Sequence, residues 1–140
     1  MSSFRPTDSD PSAPVTRPTH VVLGGGHVGL AIAERLQTDG HAVVVVDEAY
    51  DAADVPGVAG SPTDVDVLTQ SGLETASTAI VATRSDAKNL LVAQLARTQF
   101  DVPRIVVLVH DPGRLAPLAE AGHEPVCATA ALSETITERA

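Results

Sequence analysis

Residues 20–47 read HVVLGGGHVGLAIAERLQTDGHAVVVVD, and this stretch decides the fold. His20-Val21-Val22-Leu23 is a short apolar run that stops at glycines, the pattern of a buried strand. From His27 to Thr38, Val28, Leu30, Ile32, Ala33 and Leu36 recur at helical spacing, and Asp39-Gly40 closes the segment. Ala42-Val43-Val44-Val45-Val46 is then a β-branched run that ends on Asp47. Strand, helix and strand at this spacing form a βαβ unit, a right-handed crossover between parallel strands.

The alternation continues downstream. Val58-Ala59 reads as a very short strand before the turn Gly60-Ser61-Pro62-Thr63. Asp64 to Ser71 is predicted as a short helix with Val65, Val67 and Leu68 inward. Thr78 to Ala82 is a strand, and Asp86 to Gln99 is a long helix carrying Leu90, Leu91, Ala93, Leu95 and Ala96. Arg104 to Val109 is a strand, and Pro103 before it suits a strand start. A short helix over Pro112 to Ala121, a strand over Glu124 to Cys127 and a helix over Ala130 to Arg139, capped by Thr129, complete the pattern. The prediction is a Rossmann-type, doubly wound α/β domain over residues 20–140, with a mainly parallel sheet and helices on both faces. Residues 1–19, rich in Ser, Thr, Pro and Asp, read as a disordered leader.

Composition fits this reading. Hydrophobic residues make up 44% and aromatics 2%, so the core is built from Val, Ile, Leu and Ala. There are 18 acids against 9 bases, a formal charge of -9, and Lys88 is the only lysine. That balance argues against a nucleic-acid partner, which needs clustered positive charge. It points to a high-salt source, where screening tolerates a dense acidic surface. Cys127 stands alone, excluding an intrachain disulfide and making the cytoplasm the expected location. No apolar run approaches the roughly 18 residues of a membrane span, so any membrane role is expected to go through a partner.

Gly24-x-Gly26-x-x-Gly29 follows a predicted strand and opens a predicted helix, the context a dinucleotide fingerprint requires. Gly24 lets the chain turn, Gly26 lets a pyrophosphate approach the backbone, and Gly29 lets helix and strand pack closely. The free N–H groups of the first helical turn, from Gly25 through His27 and Val28, then face the phosphates. A charged His27 would assist them; a solvent-facing His27 is the alternative. Asp47 is placed to accept hydrogen bonds from ribose hydroxyls, with Glu48 as a second candidate. An acid here repels a 2′-phosphate, and no Arg or Lys occurs between Arg35 and Arg84. NAD(H) is therefore favoured over NADP, with AMP, ADP and ATP left open. His20, His41, His110 and His123 lack metal-ligand spacing, so no metal site is expected.

The order of these motifs resembles the TrkA-N domain, the nucleotide-binding part of the RCK or KTN domains of potassium transport regulators. The resemblance covers about residues 20–138. It rests on the glycine turn with Asp47, on Gly60-Ser61-Pro62-Thr63-Asp64, on Thr83-x-x-Asp86-x-x-Asn89-Leu90, and on Ile105–Val109 followed by Asp111-Pro112 and Gly122. It implies a regulatory domain that binds NAD(H) or an adenine nucleotide, dimerises, and gates a potassium channel or transporter at the membrane. By matched position it puts Ser61, Pro62 and Thr63 near the adenine. It puts Thr83 and Arg84 toward the far end of the ligand, and Asn89 at the base of the following helix. Two positions depart from the family pattern: Ser61 replaces an Asp, and Leu108 stands where an Arg is frequent. The chain also reads as a stand-alone module.

Catalysis is not expected. A Tyr-x-x-x-Lys pair is absent, a GxxxxGK[ST] loop is absent, and Cys127 lacks an evident His partner and reads as a buried structural thiol. The alternatives are an NAD-binding accessory factor of an oxidoreductase, similar to molybdenum-hydroxylase maturation factors of the XdhC type, or a structural subunit that has lost its ligand.

Overall fold

The β-branched runs assemble into one six-stranded sheet in the order β3-β2-β1-β4-β5-β6, every neighbouring pair parallel. In chain order the elements are β1 (His20–Leu23), α1 (Gly26–Thr38), β2 (Val43–Asp47), β3 (Gly57–Ala59), α2 (Val65–Gln70), β4 (Thr78–Val81) and α3 (Asp86–Thr98), followed by β5 (Arg104–Val109), α4 (Leu115–Glu120), β6 (Glu124–Cys127) and α5 (Ala128–Arg139). The structure is a computed structural model that describes residues 19–51 and 54–140. The leader expected upstream lies outside the described residues, apart from Thr19. That residue is stitched to the sheet: its N–H donates to the Ala42 carbonyl at 3.0 Å, and its own carbonyl accepts from Ser77 and Thr78. The folded unit therefore includes it.

Strand order reverses between β1 and β4, so the chain winds first to one side and then to the other. The pleat sorts side chains to two faces. On one face Val21, Leu23, Val46, Ala79, Val81, Ile105 and Val107 pack against Leu68, Leu73, Val92, Ala93 and Ala96. On the other, Val22, Val43 and Val45 pack against Ala33 of α1, with Val55 beside them. Among the described residues, the second face is only partly covered. Over β4, β5 and β6 it leaves an apolar groove lined by Ile80, Val106, Leu108 and Val126, with Val28 and Ile32 of α1 along one side.

The helix stripes differ from the spacing prediction in ways packing explains. Val65 is exposed because α2 is a single short segment that packs through Leu68, buried, and Val67, partly buried. On α3 the buried stripe is Asn89, Val92, Ala93 and Ala96, small enough for close approach to the strands. Leu90 and Leu91 consequently face outward. The helix expected over Pro112 to Ala121 splits into a tight turn, Pro112–Arg114, and α4. The last helix begins at Ala128, with Cys127 rather than Thr129 as its cap. Cys127 is half-buried, since it ends an edge strand. Among the described residues none buries the outer side of α5: Leu132 and Ile136, one turn apart, are 62% and 65% exposed.

Candidate functional site

All six strands end at the same edge, and the turn after β1 lies where the strand order reverses. In open parallel sheets this switch point is where a crevice opens. Gly24, Gly25 and Gly26 each take positive φ, +81°, +100° and +55°, a run only glycine adopts without strain. A Cβ on Gly29 would run into the Gly24 carbonyl oxygen, so close packing demands that glycine. A Cβ on Gly26 would meet nothing within 4 Å, which leaves open space in front of the backbone at the start of α1. Gly25, at the N-cap, has no side chain to cap α1, and among the described residues the His27 N–H finds no partner, which leaves it available to an anion.

Asp47, at the end of β2, links this turn to the next. Its carboxylate accepts from the Gly26 N–H at 2.8 Å and from the Ala49 N–H at 2.9 Å. One carboxylate thus fixes the glycine loop while keeping lone pairs toward the crevice. The crevice is a cavity of about 230 Å³ walled by Gly24, Gly25, Gly26, Asp47, Glu48, Pro62, Thr83, Arg84 and Lys88. A second hollow of about 220 Å³ adjoins it across Asp47 and includes His27, Leu30 and Tyr50. The Tyr50 hydroxyl donates to the Val55 carbonyl at 2.8 Å.

Ser61 and Thr63 flank the buried Pro62 and bond to one another through their hydroxyls at 2.7 Å, shaping the turn after β3. Val28 turns from the crevice toward the apolar groove, and Gly29 is buried beneath the loop. Asn89 is buried at the base of α3. Its amide donates to the carbonyls of Thr83 at 3.0 Å and Leu108 at 2.9 Å, and its oxygen accepts from the Thr83 N–H at 3.0 Å. It ties β4, α3 and β5 together. Asp86 does the same one turn earlier by accepting from the His110 and Asp111 N–H groups at 2.8 and 2.9 Å. Burial alone would raise the Asp86 pKa; those two N–H groups, with His110 and Arg114 nearby, outweigh it and hold the carboxyl below the usual range.

Lys88 escaped the spacing argument, although its place in the first turn of α3, beside the end of β4, was a readable signal. Tyr50 escaped too, and no spacing rule marks it. Away from the crevice, His123 is buried with its Nδ1 unpaired; burial and the neighbouring Arg97 charge push its pKa down. His20 and His41 sit ring to ring at 4.4 Å at the opposite edge of the sheet. Among the described residues no three His, Cys, Asp or Glu side chains gather as a metal site would require.

Fold and crevice together define a Rossmann-type α/β domain with a glycine turn at the switch point. The chain belongs to the TrkA-N domain family, whose model matches residues 20–129. It is 36% identical over 104 residues to the Trk system potassium uptake protein TrkA of Azorhizobium caulinodans, a match covering 69% of this chain and 23% of that protein. Among solved structures it resembles the TrkA-N domain of the inner membrane protein ybaL from Escherichia coli, with a TM-score of 0.76, 22% identity, and 89% and 98% of the two chains covered. It also resembles the GsuK channel bound to NAD, with a TM-score of 0.66, 26% identity, and 87% and 24% of the two chains covered. The chain spans between about a quarter and about a half of the curated relatives it matches. No described helix is long and apolar enough to cross a membrane.

Proposed function

We propose that this domain binds NAD(H) or an adenine nucleotide (AMP, ADP or ATP) in the crevice over Gly24–Gly26, and that occupancy regulates potassium transport through a membrane partner. One observation carries the reading: an open backbone cradle at Gly26 lies hydrogen-bonded to the carboxylate of Asp47, so phosphate and ribose positions are set by one linked unit. Ser61, Pro62 and Thr63 flank the adenine side, and Thr83 and Arg84 the far side. The similarity to a channel bound to NAD and to potassium uptake proteins supports both parts. Regulation without chemistry needs only that the ligand favour one conformation or assembly over another.

A second copy of the chain is the partner favoured by the surface. Leu90 and Leu91 of α3 and Leu132 and Ile136 of α5 are exposed, and the groove over β4–β6 is apolar and open. A homodimer at the cytoplasmic face of the membrane accounts for these surfaces.

Isothermal titration of the purified chain in molar KCl with NAD+, NADH, NADP+, AMP and ATP tests the ligand. Saturable binding of any but NADP+ upholds the reading; silence from all five leaves a structural subunit. Light scattering at high protein concentration tests the dimer, and a monomer throughout would count against it.

A further inference from the structure

The crevice is electrically polar along its length. Asp47 and Glu48 stand on one wall, at the end of β2; Arg84 and Lys88 stand on the other, at the start of α3. In a chain with a formal charge of -9 and a single lysine, that lysine lines this cavity. Lys88 is exposed, and neither it nor Arg84 makes an ion pair with a described residue. Its backbone N–H is already satisfied by the Ser85 hydroxyl at 3.1 Å, so the helix start does not depend on its side chain. On the nucleotide reading above, we infer that Lys88 is a specificity-determining residue that selects ligands by the charge of their terminal phosphate, favouring ADP and ATP over AMP and NAD+.

The chemistry is direct. With the ribose held at Asp47 and the first phosphate over the glycine turn, whatever follows the first phosphate extends toward Arg84 and Lys88. In ADP or ATP that is a terminal phosphate, which as a singly substituted group carries about -1.5 to -2 charges near pH 7. In NAD+ it is a second diester phosphate with one charge, followed by a positively charged nicotinamide ring. AMP places nothing there. A lysine ammonium is a compact point charge that favours the first case and disfavours the second. The acidic wall prevents the reverse orientation, since Asp47 and Glu48 would face the terminal phosphate.

The experiment is titration of the wild-type chain, Lys88→Gln and Lys88→Arg with AMP, ADP, ATP and NAD+ at one fixed KCl concentration. For the wild type, affinity is expected to rise from AMP to ADP to ATP. In Lys88→Gln, ADP and ATP affinity should fall by roughly fivefold to tenfold, the range of an exposed charge-assisted contact, while AMP and NAD+ stay within about twofold. Lys88→Arg should restore most of the loss. An equal fall for all four ligands, no fall for any, or a wild type that binds AMP as tightly as ATP overturns the inference while leaving a nucleotide crevice in place. A wild type that binds none of the four removes the crevice reading and the inference together.

Discussion

Asp47 closes an Asx turn onto the Ala49 N–H and reaches across to the Gly26 N–H, which couples the end of β2 to the glycine turn. In the proposed nucleotide mode, its carboxylate would set the distance between the ribose and the phosphates. Asp47→Ala is expected to cost about 1–3 kcal/mol of nucleotide affinity, the scale of a lost charge-assisted hydrogen bond. Titration of the variant measures this, and unchanged affinity would transfer the ribose contact to Glu48. The glycine turn and Asp47 were legible in sequence because both obey fixed spacing: the turn follows a strand, and the acid ends the next one. Ser61 and Thr63 were named through the family resemblance alone, and of that turn it is Pro62 that lines the crevice. Lys88 was missed although its place in the first turn of α3, next to the end of β4, was readable, because no motif marks that position.

At the scale of elements, the Thr83-x-x-Asp86-x-x-Asn89 segment is a clasp. Asn89 reaches the backbone of both β4 and β5, and Asp86 holds the turn after β5. Asn89→Ala should lower stability by about 2–3 kcal/mol by leaving buried backbone groups unpaired, as read by urea unfolding. A loss under about 0.5 kcal/mol would mean that water takes over its partners. The turn that leads into the edge strand β6 carries a second sensitivity at His123. Burial and Arg97 depress the His123 pKa below its ordinary 6.5, so the unfolded chain binds more protons between the folded value and 6.5. Stability should therefore be level above about pH 6.5 and fall as pH drops below it. His123→Gln should shrink the difference between urea midpoints at roughly pH 7.5 and pH 5.5; an unshrunk difference would assign the effect to other groups, His20 first. Strand and helix positions were readable from β-branched runs and helical spacing. The inward stripes of α2 and α3 were not, because Val65, Leu90 and Leu91 look like core residues until the packing partners are known.

For the whole molecule, the doubly wound sheet was legible from the alternation of elements alone, while the apolar groove that the described residues leave over β4–β6 was not. Periodicity reports that a side chain is apolar, not whether a helix arrives to cover it. The acidic balance of 18 against 9 predicts that the melting temperature rises as KCl goes from roughly 0.1 M to 2 M, since screening relieves self-repulsion. Sodium and potassium chloride should act alike at equal concentration, with thermal scans as the readout. A melting temperature that falls with salt would show that the surface charges are net stabilising pairs.

The hydrogen bonds of Thr19 bear on how the domain can be handled. They anchor the point of chain entry at the start of β1, whereas the glycine turn begins at its end. A strand of 4 residues lies between, about 13 Å at the usual rise per residue. A fluorophore or an immobilising tag fused directly to Thr19 would therefore be anchored at the edge opposite the crevice, away from the proposed nucleotide site.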